Sequence, residues 1–230
     1  MVYAQNHDQI GNRARGRRLW SLTSFERAKL AAGTVLLSPY LPMLFMGEEY
    51  GETAPFLYFV DHSDPALIDA VRNGRRAAFG RFWQHEPPDP QDEATFRESR
   101  CQHHLAAAGR HRAMRAYYAA LLRLRRDIPA LRVPDKKGLE ALPLPRQQLL
   151  VVRRAQPGSE VLFFLHFGHR HARPRLPAQE GLWRLRLDSF APEWDGPGSH
   201  APAELTPPRD AWVPLAPAQL LLYERVEAGA

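Results

Sequence analysis

Asn6, His7 and Asp8 stand in a row directly after the short apolar run Val2–Ala4, the most polar point of the N-terminal region. A neighbouring imidazole and carboxylate can clamp adjacent hydroxyls through charge-assisted hydrogen bonds. The same residues also suit a strand-end turn in which Asp8 caps local backbone. Glu48 and Glu49, which follow Gly47, are placed to line the same mouth or to form a solvated acidic loop. Two histidine groups, His103, His104 and His111, then His166, His169 and His171, lack the carboxylate or cysteine company of a tight metal site, so no metal is expected. Cys101 is a lone thiol without a reactive motif, and no glycine pattern that would cradle a phosphate is present.

The elements that position these groups follow from spacing. Val2–Ala4 reads as a strand delivering polar side chains into a loop. Thr23 and Glu26 fit a capping box, and Phe25, Ala28, Ala32, Val35 and Leu36 recur at helical intervals up to Pro39. Pro42–Met46 is a compact apolar run stopped by Gly47, as expected of a buried strand. Strand, helix, strand implies two parallel neighbours joined by a right-handed crossover, and in such folds ligands bind at the carboxyl ends of the strands. Asp64-Pro65 opens a further helix for which Asn73-Gly74 is a plausible stop, and Gln84–Asp92 is loop.

A long helix is predicted from about Arg110 to Asp127, with Met114, Tyr117, Leu121 and Leu124 on one side. Arg112, Arg115, Arg123 and Arg126 form a stripe on the other, which without interleaved aromatics reads as a solvated face rather than a nucleic-acid surface. Beyond Val133 helical spacing gives way to β-rich runs at Leu149–Arg153, Val161–Phe167, Leu182–Leu187 and Gln219–Val226, separated by Pro and Gly clusters. The expected division is therefore an α/β unit over 1–132 and an antiparallel all-β domain over 133–230.

Composition agrees with a folded chain. Of 230 residues 44% are hydrophobic and 24% charged, which excludes disordered and fibrous classes. The net charge of +6 is almost entirely arginine, since Lys29, Lys136 and Lys137 are the only lysines. One cysteine cannot make an internal disulfide, and no apolar run reaches the about 18 residues of a membrane span. No signal peptide is evident, so a cytoplasmic location and no membrane partner are expected.

The segment Val-Tyr-Ala-Gln-Asn-His-Asp-Gln-Ile-Gly-Asn-Arg-Ala-Arg, Val2 to Arg15, closely resembles the seventh-strand region of the malto-oligosyltrehalose trehalohydrolases, within the α-amylase family of glycoside hydrolases. Leu36-Leu37-Ser38-Pro39-Tyr40 and Leu44-Phe45-Met46-Gly47-Glu48-Glu49-Tyr50-Gly51-Glu52 are similar to its eighth strand and following loop. Thr53-Ala54-Pro55-Phe56, Asp61-His62 and Asp89–Phe96 agree as well. The resemblance implies the C-terminal end of a (β/α)8 barrel, strands 7 and 8 with their helices, followed by an antiparallel β-sandwich.

The activity implied is hydrolysis of the α-1,4-glucosidic bond next to a terminal trehalose, with no cofactor. Asp8 matches the carboxylate that stabilises the distorted sugar in the transition state, His7 its partner on the same sugar, and Asn6 and Glu48 further substrate contacts. A retaining glycosidase also needs a nucleophile and an acid/base carboxylate ~5 to 5.5 Å apart. In the family both lie on earlier strands, so the chain alone is expected to be inactive and to need the preceding part of the barrel as partner. Length agrees, because a (β/α)8 barrel takes ~250 residues before any β domain is added. Arg17 stands where the family usually has an acidic residue, and Cys101-Gln102-His103-His104 replaces a more apolar, tryptophan-containing stretch. Alternatives from the same residues are another α-glucan hydrolase or branching enzyme, or a non-catalytic α-glucan-binding module stacking sugars on Trp183, Trp194 or Trp212.

Overall fold

A computed structural model describes residues 1–13, 15–79, 87–174, 180–206 and 212–226. The helical part contains α1 (His7–Gly11), α2 (Phe25–Leu36), α3 (Pro65–Phe79), α4 (Glu93–Glu98), α5 (Gly109–Asp127) and α6 (Pro129–Arg132). The strands are β1 (Leu139–Leu144), β2 (Leu149–Gln156), β3 (Ser159–His166), β4 (Leu182–Asp188), β5 (Glu204–Leu205) and β6 (Leu220–Val226). Helix thus gives way to strand between Arg132 and Leu139.

The two strands expected at Val2–Ala4 and Pro42–Met46 meet in parallel at one bridge, Val2 opposite Pro42. Val2 donates to the Leu41 carbonyl at 2.9 Å, and Met43 donates to the Val2 carbonyl at 2.8 Å. Pro42 has no N–H to give, which limits how far the ladder can extend. Between them runs α2, whose cap is Ser24 rather than the expected Thr23: the Ser24 side chain accepts from the Arg27 amide at 3.2 Å. A residue one position nearer the apolar register wins because its extended backbone aims the hydroxyl at the N3 amide.

Asn73-Gly74 does not stop α3, which continues to Phe79. A mid-helix glycine costs only about 1 kcal/mol, and the strong helix formers Arg75, Arg76, Ala77 and Ala78 that follow it favour continuation. Of the expected Gln84–Asp92 loop, residues 84–86 lie outside the described residues, and 87–92 carry no helix or strand.

The six strands form one antiparallel sheet in the order β1-β2-β3-β6-β4-β5. Every residue of β3 is buried, because it is an interior strand covered on both faces. Alternation splits its side chains: Val161, Phe163 and Leu165 pack with α2, α5 and α6, while Leu162 and Phe164 face Trp183, Leu205, Val213 and Leu215. The second layer is closed by an antiparallel bridge between Ala172 and Leu215. Helices and sheet therefore share one core.

That junction is stitched by cations, Lys29 and Arg154 buried and Arg125 half-buried. Lys29 of α2 donates to the carbonyls of Ser189 at 2.5 Å and Trp194 at 3.3 Å. Arg154 of β2 donates to Leu37 at 2.9 Å and Val133 at 2.7 Å, and Arg125 of α5 donates to Leu36, Ser38 and Tyr40 at 2.5 to 2.7 Å. Two of these acceptors, Leu36 and the C-cap Leu37, are carbonyls that the end of α2 leaves without a helical partner.

Candidate functional site

The polar row after Val2 becomes a short helix rather than an open loop. Asn6 is its N-cap, extended at φ −143° and ψ 176°, and its side chain accepts from the Gln9 amide at 2.8 Å. Capping therefore falls to Asn6 and leaves Asp8 available. His7 and Asp8 sit in the first turn, both about 70% exposed, with His7 Nε2 3.2 Å from Asp8 Oδ1. A carboxylate in the first turn also suits the positive end of the peptide dipoles. The turn is held from below by Gln5, which is buried and accepts from the Leu19 amide through Oε1 at 2.9 Å.

Glu48 opens the 3-10 turn Glu48–Tyr50 between Gly47 and Gly51, at φ 82° and 70°. Both glycines are required: a Cβ on Gly47 would lie 2.6 Å from Glu52 Cβ, and one on Gly51 would lie 2.3 Å from the Trp20 ring. The turn buries the Glu48 carboxylate, which accepts from Tyr118 Oη at 2.9 Å and from the Phe45 amide at 3.3 Å. Burial raises its pKa, against the lowering effect of hydrogen bonds from Tyr118, Phe45 and Gln5. Gln5 is the structural link between the two ends of the site, touching Glu48 and lying immediately before Asn6. Glu48 thus faces inward, whereas His7 and Asp8 face solvent. The space among Gln5, Trp20, Glu48 and Tyr118 is only about 20 Å³, room for one water and not for a sugar.

Two residues that sequence reasoning passed over fix the loop beyond. Glu52 is 1% exposed and accepts from Thr53 and Ala54 amides at 2.8 Å, from Tyr50 Oη at 2.7 Å and from the Gln102 amide at 2.5 Å. Burial pushes its pKa up, but these donors outweigh it and hold the carboxyl below its usual range. Arg18, also 1% exposed, donates to Ala54 at 2.7 Å and Met46 at 2.6 Å, with its guanidinium 5.2 Å from the Phe45 ring centre. The acidic pair at 48 and 52 and the Arg13–Arg18 run were the available signals, since several charges of both signs so close to an apolar strand need internal partners.

Among the described residues no group of three or more metal-ligating side chains comes together. His111 is stacked on Trp20, His166 faces the Ala216 carbonyl at 2.6 Å, and His169 faces Arg27. Arg112, Arg115, Arg123 and Arg126 are exposed along α5. Trp183 and Trp194 are buried and Trp212 is 49% exposed, so two of the three candidate sugar platforms belong to the core. No described helix is long and apolar enough to cross a membrane.

Comparison with known proteins then bears on this geometry. The chain is 45% identical over 127 residues to the malto-oligosyltrehalose trehalohydrolase of Saccharolobus solfataricus, covering 55% of this chain and 21% of the relative. It is likewise 45% identical over 133 residues to that of Rhizobium sp. strain M-11, covering 57% of this chain and 22% of the relative. The chain is related to the C-terminal portion of the malto-oligosyltrehalose trehalohydrolases. It spans about a fifth to a quarter of the length of these curated relatives, with the longest match reaching 27%.

A solved structure described as a putative α-amylase from Salmonella typhimurium superposes with a TM-score of 0.75 at 30% identity, covering 97% of this chain and 35% of its own. The α-amylase from H. orenii shares the fold at a TM-score of 0.58, 15% identity, 97% of this chain and 39% of its own. No family model matches the chain. The fold of this chain is therefore that of the end of an α-amylase-type barrel, the Val2–Pro42 bridge and its helices, followed by the antiparallel β domain.

Proposed function

We propose that this chain is the C-terminal portion of a trehalose-releasing glycoside hydrolase, which cleaves the α-1,4-glucosidic bond adjacent to a terminal trehalose. In this reading Asp8 stabilises the distorted sugar, His7 binds the same sugar, Asn6 holds the turn that presents them, and Glu48 supports that turn from beneath through Gln5. The observation that carries it is the coincidence of two facts. The relatives matched at 45% identity are malto-oligosyltrehalose trehalohydrolases, and the exposed His7–Asp8 pair, 3.2 Å apart, lies at the end of the Val2 strand segment. Such a strand end is where barrel enzymes place reactive side chains.

The nucleophile and the acid/base carboxylate are supplied, on this proposal, by the preceding strands of the barrel. They would pack where Met1, Tyr3, Leu41 and Met46 are exposed, at 79%, 40%, 64% and 56%. The chain alone then binds and distorts but does not hydrolyse, because one carboxylate cannot both attack the anomeric carbon and protonate the leaving oxygen. A cytoplasmic enzyme acting on soluble α-glucans fits the expected compartment. The test is a graft in which this chain replaces the corresponding segment of the Saccharolobus solfataricus relative. Trehalose release from malto-oligosyltrehalose by the folded graft, and none by the chain alone, is expected. A folded graft that binds but does not cleave, or an active isolated chain, would overturn the reading.

A further inference from the structure

The five residues of α1 are too few to hold a fixed direction by their own hydrogen bonds. Asn6 satisfies the amino end, whereas the carboxyl end leaves carbonyls without helical partners. One of these has a partner from far along the chain: the Gly11 carbonyl accepts from Arg75 Nη2 at 3.0 Å, across 64 residues. The Arg75 guanidinium lies 4.1 Å from the ring centre of Tyr58, which lines one side of the contact. The space left open among Gly11, Arg13, Tyr58, Arg75, Pro87 and Pro88 is only about 10 Å³, too little for a ligand.

Arg75 is itself held by its helix. Three residues before it, Arg72 grips Asp89 bidentately, Nε at 3.0 Å and Nη2 at 2.7 Å, which fixes α3 against the Pro87–Pro90 segment. Residues three apart on a helix share a face, so anchoring Arg72 also aims Arg75. We propose that Arg75 is a positioning residue for the His7–Asp8 pair, clamping the far end of α1 through the Gly11 carbonyl while the Tyr58 ring under its guanidinium fixes the direction of the side chain. The proposal deepens the sugar-binding reading of Asp8 and His7 and rests on it for its functional meaning. An arginine is needed because one fork must both donate to a carbonyl and stack on a ring, which an ammonium does poorly.

The test uses the full chain, isotope-labelled, with Arg75→Gln, Arg75→Lys and Tyr58→Leu followed by NMR. In Arg75→Gln the Asn12 and Arg13 amides, which bond to the Asp8 and Ile10 carbonyls, should exchange roughly ten- to a hundredfold faster. The Gly11 carbonyl resonance should move with them, while α2 amides and the urea midpoint stay in place. Arg75→Lys should recover part of the protection and Tyr58→Leu should lose part, so a poorly folding glutamine variant still leaves the comparison standing. Unchanged α1 exchange, or α1 and α2 loosening together, overturns the clamp. In the grafted enzyme Arg75→Gln should lower kcat with KM nearly unchanged. A loosened α1 with unchanged kcat would refute its role at the site, while an inactive parent graft would instead count against the sugar reading.

Discussion

Replacing Glu52 with glutamine changes one atom and no volume, yet four donors converge on that carboxylate from Thr53, Ala54, Tyr50 and Gln102. An amide accepts through one end only. Turned one way, its NH2 meets the Thr53 and Ala54 amides; turned the other way, it meets the Gln102 amide and forces Tyr50 to reverse its hydroxyl. At least one backbone N–H is left facing a donor inside a site that is 1% exposed. An unsatisfied buried donor costs about 1 to 3 kcal/mol, and bonds to a charged acceptor are worth about 1.5 to 3 kcal/mol each. Relief of the buried charge returns part of this, and a net loss of about 2 to 4 kcal/mol is expected. Urea unfolding followed by tryptophan fluorescence reads it, with Trp20, on whose ring Gly51 packs, one of the five tryptophans that contribute. The carboxyl is held below its usual pKa of 4.5, so its contribution is present above that pH and is lost as pH falls through the lower folded value. Glu52→Gln should flatten that acid limb. A loss below about 0.5 kcal/mol with an unchanged acid limb would refute the argument from converging donors.

The pH dependence of Glu48 has the opposite sign, because burial raises its folded pKa above 4.5: the folded state keeps a proton longer, so stability falls as pH rises through the window above 4.5. Glu48→Gln should remove that slope while keeping the Tyr118 hydrogen bond, as fluorescence-monitored unfolding between pH 4 and 7 would show. Lys29 is pushed down from 10.5 to about 8 by burial, so the unfolded chain binds more protons and stability should rise with pH from about 8 by up to ~3 kcal/mol. Lys29→Met should abolish that rise while leaving the Ser189 and Trp194 carbonyls without their donor, readable in urea midpoints at pH 7.5 and 9.5. Gly47→Ala should cost at least 1 kcal/mol, since φ 82° disfavours any side chain and the new Cβ meets Glu52, and thermal melts with and without the substitution decide it.

Periodicity carried much of this fold because the elements it marks are long. The apolar side of α5, Met114, Tyr117 and Leu121, is the buried side, and the β-rich runs at Leu149, Val161, Leu182 and Gln219 fall on β2, β3, β4 and β6. Short elements were harder to read. At Asn6–Gly11 the local capping of Asn6 makes a helix where composition suggested loop, and at Val2 and Pro42 the ladder shrinks to a single bridge. Buried charges were the other gap. Lys29 lies on the α2 face that meets the β4 end, and only the three-dimensional position of the Ser189 and Trp194 carbonyls shows why an ammonium is needed there. By sequence Glu48 suits either an open mouth or a solvated acidic loop, and it is buried instead because it meets Tyr118, a partner 70 residues away. The Asn6, His7 and Asp8 cluster stands out by residue types alone, and the sugar proposed for it rests on the resemblance.

The most direct measurement of the central claim is the kinetics of Asp8→Asn in the graft carrying the upstream barrel strands. If Asp8 binds the sugar more strongly in the oxocarbenium-like state than in the ground state, kcat should fall roughly a hundredfold or more while KM changes little. His7→Ala should fall in the same direction by less, since a neutral imidazole makes a weaker bond. Near-normal kcat in Asp8→Asn, with trehalose release intact, would contradict the account and leave the 3.2 Å His7–Asp8 pair as an exposed helix-turn contact only.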